Sequence, residues 1–324
     1  MRAKERNPRD HYSEITEQII AALEAGTPPW RQPWDNAKAG GPCMPQNAAT
    51  GARYRGINVL TLGMSPLAFM TGDPRWATYK QAQERGWQVK KGAHGLTGFF
   101  YKRIEADRTE NPGGESEGGK CFPLLRSFTL FHASQIEGIP SYLPLTVAEA
   151  PWRAPDSAET IVRNSRATIR IGGERAFYSP STDHIQMPPQ RAFRSPAAWA
   201  SVQLHELGHW SGSRTRLNRD LSGPFGSADY AREELRAEIA QVMICAELGI
   251  PECDFTNGAA YVAHWVGKLR DDKKEIFRAA ADAQRIADFL LAFHPDFAAR
   301  NAQRDPSSQE PPEDETASGL KVAA

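Results

Sequence analysis

The sequence predicts a two-domain α+β protein, with an N-terminal α+β domain over residues 1–140 and a C-terminal domain of a small sheet plus helices over residues 158–302. Three observations predict it. The chain has 324 residues, more than the ~100–200 of a single domain. Strand-like and helix-like runs occur in both halves. Residues 141–157 are Pro-rich and read as the linker between them.

The elements follow in order. Residues 12–25 form an amphipathic helix with Ile15, Ile19, Ile20 and Leu23 on one face, ended by Gly26 and Pro28-Pro29. Trp30 and Trp34 sit in a Pro-rich turn, and residues 56–70 mix apolar and small residues around Pro66. Residues 78–85 form a short helix closed by Gly86. Residues 87–91 and 98–102 are strands joined by a turn containing Gly92, His94 and Gly95, and residues 122–131 are a further strand. Residues 105–119, rich in Gly and acids, read as a mobile loop.

In the second half residues 159–167 are a helix, and residues 169–171, 176–179 and 183–187 are short strands. Residues 195–210 are helical, with Ser195 as cap and Pro196 at the first helical position. Residues 230–248 form a long helix ending at Gly249 and Pro251, and residues 257–269 and 273–293 are helical. The polar tail, 303–324, is expected to be disordered. No internal repeat is present.

Composition excludes several classes. The four cysteines, Cys43, Cys121, Cys245 and Cys253, form no C-x-x-C pair, which excludes a zinc ribbon or a thioredoxin-type motif and fits a reducing compartment. The basic N-terminus is not followed by an apolar h-region, and no run approaches the ~20 apolar residues of a membrane span. A soluble, cytoplasmic protein without membrane partners is expected. Net charge is zero, but from Arg31 to Lys102 ten Lys/Arg face three acids.

His205-Glu206-Leu-Gly-His209 supplies the chemistry. Two histidines four apart on a helix share a face, which lets both imidazoles reach one ion at ~2.0–2.1 Å. Glu206, adjacent, faces the open position as a general base. A catalytic zinc wants a third protein ligand. Glu234 and Glu238 share a face of the next long helix. Glu234 is the expected ligand, and Glu238 the partner that hydrogen-bonds a ligand imidazole. The reverse order, or Glu233 as ligand, is the alternative, although Glu233 is also explained by the helix macrodipole. Zn2+ is the expected ion, and manganese or another divalent ion fits the same donors.

With these residues in view, the chain resembles the ArdC antirestriction proteins of conjugative plasmids and related mobile elements. The resemblance runs over roughly residues 10–300. It rests on residues 205–210, Ser213-Arg214-Thr-Arg216-Leu-Asn-Arg219, Phe225-Gly-Ser227, Tyr230-Ala-Arg-Glu233-Glu234, and the strand segments 176–180 and 183–188. It implies a zincin-like metallopeptidase fold, with an upstream strand able to pair with an extended peptide. Arg214 and Arg216 could hold a substrate carboxylate or be solvated charge.

The N-terminal half resembles that family's single-stranded DNA-binding domain, shared with plasmid primases. The matching residues are Thr50-Gly-Ala-Arg53-Tyr54-Arg55-Gly-Ile-Asn58, Trp76-Ala-Thr-Tyr79-Lys80-Gln81 and Gly86-Trp87-Gln-Val-Lys90-Lys91-Gly92. Physics agrees: single-strand binders combine a positive groove with aromatic platforms. Tyr54 lies between Arg53 and Arg55, Trp76 and Tyr79 precede Lys80, and Trp87 precedes Lys90-Lys91. Trp76 and Trp87 fit core packing as well as stacking, and His94 reads as structural.

The expected function is therefore an antirestriction protein that binds single-stranded DNA, carries a metallopeptidase-like site and protects incoming DNA from host restriction, with a protein substrate or the restriction machinery as the further candidate partner. A metalloprotease with a basic recruitment domain, and a DNA-binding protein with a purely structural metal, are the alternatives.

Overall fold

In a computed structural model of the chain, the described residues are 10–26, 44–105, 121–142, 153–224, 226–250, 261–302 and 317–320. In order they form α1 (His11–Glu24), β1 (Gln46–Asn47), α2 (Ile57–Gly63), α3 (Pro66–Thr71), β2 (Arg75–Ala77), α4 (Tyr79–Glu84), β3 (Gln88–Val89), β4 (Leu96–Glu105), β5 (Cys121–His132) and β6 (Ile136–Glu137). There follow α5 (Arg153–Ser165), β7 (Thr168–Ile171), β8 (Phe177–Ser179), β9 (His184–Met187), α6 (Pro196–Trp210), α7 (Ala228–Leu248), α8 (Val262–Asp271), α9 (Glu275–Leu291), α10 (Pro295–Ala302) and β10 (Ala317–Leu320). Among the described residues no helix is long and apolar enough to cross a membrane.

Side-chain oxygens start several of the helices by accepting otherwise unpaired N–H groups. Thr78 and Gln81 make a reciprocal capping box at α4. Ser195 caps α6, with Pro196 next, and Ser227 caps α7. Gly249, at φ 68°, ends α7 in the left-handed conformation that L side chains avoid.

The contacts divide the chain into two interleaved units. One comprises Met1–Met44, Arg55–Gly72 and Leu143–Arg304, the other Pro45–Tyr54, Asp73–Tyr142 and Asp305–Ala324. This differs from a linear division near residue 140. The apolar faces of α1 and α2 find their partners on α8 and α9. Tyr12 stands edge-on to Phe277 at 4.6 Å, the Thr16 hydroxyl donates to the Lys273 carbonyl at 2.8 Å, Arg55 pairs with Asp288, and the Gly56 N–H donates to Gln284 at 3.0 Å. In this helical unit α7 packs against both α6 and α9. Leu204, Leu207, Leu235, Ile239, Ile244, Ile286 and Leu290 are buried at these contacts, each worth about 1.5–3 kcal/mol. A three-stranded sheet, β7-β9-β8, parallel then antiparallel, buries Ile185 and Met187.

In the other unit β5 is the central strand. It pairs antiparallel with β4 along its length, from Leu96↔Leu130 to Glu105↔Cys121. Its other side takes β2 and β10. β1 runs parallel to β2, and β3 pairs with β6.

The structure corrects several expectations. Segments 87–91 and 98–102 hold strands, but these pair with β6 and β5 rather than with each other. The Lys90 N–H turns to the Gln135 carbonyl, and Gly92, at φ 80°, reverses the chain after it. α5 begins at Arg153, inside the expected linker. Within the tail expected to be disordered, Ala317–Leu320 adds to the open side of β5, whose N–H and C=O groups offer a template. The turn of Trp30 and Trp34, the acidic loop from residue 106, and the rest of the linker and tail lie outside the described residues.

Candidate metal centre

α6 carries His205 and His209 one turn apart, with the two Nε2 atoms 3.1 Å from each other. α7 packs alongside and brings Glu234 between them, Oε1 lying 3.3 Å from His209 Nε2 and Oε2 3.6 Å from His205 Nε2. A tetrahedral ion bound at ~2.0–2.1 Å sets its donors about 3.3 Å apart. The donor atoms of these three residues all lie within 4.8 Å of one another, so the set fits one such ion without rearrangement of the helices. Gly208 faces α7 at this approach, where an added Cβ would make an ordinary contact of 3.6 Å with Ala237 Cβ.

The ionisation pattern is that of a cluster organised around positive charge. Burial opposes protonation of His209. The charge of Glu234 and hydrogen bonds to both Glu233 and Glu234 outweigh burial and lift its pKa well above the usual histidine value. Burial likewise opposes ionisation of Glu234, yet the two histidines pull its pKa far down. Protons on the imidazoles thus stand where a cation would neutralise the carboxylates. Glu206 is buried beside the ligands. Desolvation raises its pKa from the ordinary glutamate value, while the Tyr178 backbone N–H donates to it. A carboxylate moved towards neutrality is suited to accept and return protons.

A cavity of 550 Å³ opens over this group, walled by β8 residues, Val202, Leu221 and two tyrosines. Tyr230 donates to Glu234, and burial followed by the Glu234 charge raises its pKa strongly. Tyr261 lies beside it, ring centroids 5.6 Å apart.

The carboxylate that meets the His209 imidazole from behind is Glu233, where Glu238 was expected. His209 Nδ1 lies 3.3 Å from Glu233 Oε1. Glu233 neighbours Glu234 on α7 and so reaches the far side of the same ring. Glu238, one turn further on, is buried in the wall of the cavity. Arg219 fixes Glu233 by a two-pronged contact of 2.7 and 3.1 Å, and ties it to the Gly208 carbonyl at 2.7 Å and Ser211 at 2.9 Å. Nothing in the sequence spacing marks Arg219 for this work, because it comes from the loop between α6 and α7. Arg219→Ala should weaken metal binding about 10–100-fold, the usual cost of losing an outer partner of a ligand. Competition of the full chain against a chromophoric chelator would measure it, and wild-type affinity would refute the clamp.

Arg216 is not solvated. It stacks 3.9 Å over Trp210, pairs with Asp183 and donates to the Tyr178 hydroxyl at 3.2 Å, joining the end of α6 to the β8–β9 hairpin. The Tyr178 hydroxyl pKa is pushed up to about 12, by burial first and then by Asp183. Arg214 is exposed.

The expected DNA-binding residues separate by access. Tyr54, Asn58 and Trp76 are buried, Trp76 completely, edge-on to His132 at 4.8 Å. Arg53 donates to Gln46, and Arg55 is engaged by Asp288. Tyr79 is 45 % exposed. Lys90 and Lys91 are exposed, Lys80 is partly so, and Trp87 is half-buried against Ala82, Val89 and Ile136. The Lys90 ammonium also reaches the Ser134 carbonyl at 2.8 Å.

Comparison with known proteins places both halves. Residues 9–131 match the N-terminal domain of the anti-restriction factor ArdC, and residues 156–282 match a zincin-like metallopeptidase. The chain is 44 % identical to a DNA primase TraC of Escherichia coli over 295 residues, 87 % of this chain and 27 % of that protein. It therefore spans about a quarter of the length of that relative. It is 39 % identical to an uncharacterised protein, y4eC, of Sinorhizobium fredii (strain NBRC 101917 / NGR234), covering 92 % of this chain and 96 % of the relative. Two crystal structures of the antirestriction protein ArdC from plasmid R388 share 38 % identity over 89 % of this chain. The metal-free one has a TM-score of 0.72 and is covered over 99 % of its length; the Mn(II)-bound one has a TM-score of 0.71 and is covered completely.

Proposed function

The chain belongs to the ArdC antirestriction family, and from that premise we propose that it shields the incoming DNA of a mobile element from host restriction in the cytoplasm, binding single-stranded DNA and carrying a divalent-metal peptidase centre. The convergence of His205, His209 and Glu234 on one point, with Glu206 beside it under an open cavity, supports the second part most directly. A structural metal site has no use for a buried general base, so Glu206 favours chemistry over scaffolding.

Zinc suits two imidazoles and a carboxylate, and manganese, present in a related structure, takes the same donors. Once bound, the ion would polarise a carbonyl and activate water. Around it Glu206 moves the proton, Glu233 and Arg219 hold His209 in place, and the Tyr230 hydroxyl steadies Glu234. A segment of restriction machinery is the proposed substrate.

For DNA, the reachable groups carry the reading. Tyr79 and the open face of Trp87 offer base platforms, and Lys80, Lys90 and Lys91 meet phosphates. Tyr54 and Trp76 are too buried to stack on a base, and Arg55 is engaged by Asp288.

An in-cell restriction assay on wild type and Glu206→Gln in parallel tests the catalytic part. The variant should keep its metal, checked by elemental analysis, and its oligonucleotide binding. Protection should fall towards that of cells lacking the protein, since loss of a general base costs about 10²–10⁴-fold in rate. Full protection by a metal-replete Glu206→Gln protein would overturn the peptidase reading and leave DNA binding as the active principle.

A further inference from the structure

The helical unit carries a second cationic surface, of different composition from the lysines above. Between residues 160 and 219 there are nine arginines and no lysine, against only Glu174, Asp183 and Glu206. Two of those acids are committed, Glu206 beside the metal ligands and Asp183 to Arg216. Arg166, Arg170, Arg175, Arg191 and Arg214 are exposed, and none has an ion pair among the described residues. Unpaired arginines at this density attract an anion more than they stabilise the fold.

Strand register shows how part of this surface is laid out. Arg170 on β7 and Phe177 on β8 are both in register with Gln186 on β9. Residues in one row across a sheet point to the same face. The alternate residues of β9, Ile185 and Met187, are fully buried, so the Arg170–Gln186–Phe177 row faces outward. Phe177 is 44 % exposed, unusual for an aromatic on a small sheet, and stands edge-on to His184 at 6.2 Å. Arg175 comes from the turn leading into β8, and both it and Phe177 border the cavity over the metal centre. Two strand spacings separate Arg170 from Phe177, about 10 Å, a span that one nucleotide and an arginine side chain can bridge.

We infer that this outer sheet face is a second binding surface for single-stranded nucleic acid, with Phe177 stacking a base and Arg170 and Arg175 gripping flanking phosphates. An aromatic ring with a free face among unpaired guanidinium groups is the combination that unstacked nucleotides need. An acidic protein would use the arginines but not the ring. A strand held here passes the mouth of the metal cavity, so nucleic acid would bring the peptidase centre to proteins on the same strand. The inference rests on the single-strand-binding reading proposed above.

The test uses the full chain and a labelled oligothymidylate at several salt concentrations, with wild type, R170E/R175E, Phe177→Ala and K90E/K91E compared. R170E/R175E should bind about tenfold more weakly, and its salt dependence should flatten by about 0.7 for each phosphate that is no longer neutralised. Phe177→Ala should lose about five- to hundredfold in affinity with an unchanged salt slope. Metal content and Tm at wild-type values show that the variants remain folded. If wild type and K90E/K91E bind and both sheet variants match wild type, the second surface is overturned while the earlier reading stands. If wild type itself fails to bind, the earlier reading falls and takes this one with it. If polyglutamate of matched charge competes as well as the oligothymidylate and Phe177→Ala changes neither, the face is a site for acidic protein and the assignment is wrong.

Discussion

Replacing His205 and His209 by alanine should empty the metal centre and destabilise the protein at the same time. Each contributes an Nε2 donor to one point, so each single substitution should cost more than the ~10–100-fold of an outer partner, and the pair should abolish stoichiometric binding. The stability loss has a separate cause. In the metal-free chain, protonated His209 lies against Glu233 and Glu234, both deeply buried. Removing one member of such a buried pair typically costs about 3–5 kcal/mol, because the other charge is left uncompensated. Arg219 still neutralises Glu233, so Glu234 bears the loss. His209 titrates higher folded than unfolded, so its contribution is complete below its ordinary pKa and disappears as pH rises through the raised value. Elemental analysis and denaturant unfolding measure the two effects separately. Glu234→Ala should lose metal more severely than Glu238→Ala. Metal retained by the double histidine variant, or lost only from Glu238→Ala, would remove the ligand assignment.

Trp76→Ala should cost about 3–5 kcal/mol of stability, while Tyr79→Ala should leave stability nearly unchanged and reduce single-strand binding about five- to hundredfold. The two aromatics are three residues apart in the sequence, yet their surroundings are opposite. Trp76 is fully enclosed on β2, edge-on to His132, and its indole N–H has no hydrogen-bond partner among the described residues. Tyr79 opens α4 with nearly half its surface in water. Trp76→Phe, which keeps most of the apolar volume and discards the unpartnered donor, should be milder than Trp76→Ala. Thermal unfolding beside oligonucleotide titration separates the roles. A stable Trp76→Ala protein that has lost single-strand preference would restore Trp76 as a base platform, against its burial here.

The sequence alone determined what depends on local spacing and local chemistry. Histidines four apart on a capped helix must share a face, whatever packs against them, so His205, Glu206 and His209 could be grouped in advance. Ser195 and Pro196 marked the start of that helix because capping involves only neighbouring residues, and Gly249 marked the end of α7 for the same reason. Tertiary structure alone decided what depends on partners distant in sequence. Glu233 and Glu238 are equally acidic residues of one helix, and only the approach of α6 selects Glu233 to meet His209. Arg219 acquires its role because a loop folds back onto that carboxylate. The boundary near residue 140 follows composition, but α1 and α2 bury their apolar faces against α8 and α9, more than two hundred residues away. An Arg-Tyr-Arg run looks the same in sequence whether it faces solvent or core. In the folded chain Tyr54 is buried and Arg55 is engaged by Asp288, while Tyr79, Lys90 and Lys91 are exposed. Burial is a property of the whole packing arrangement, and periodicity over a few residues does not contain it.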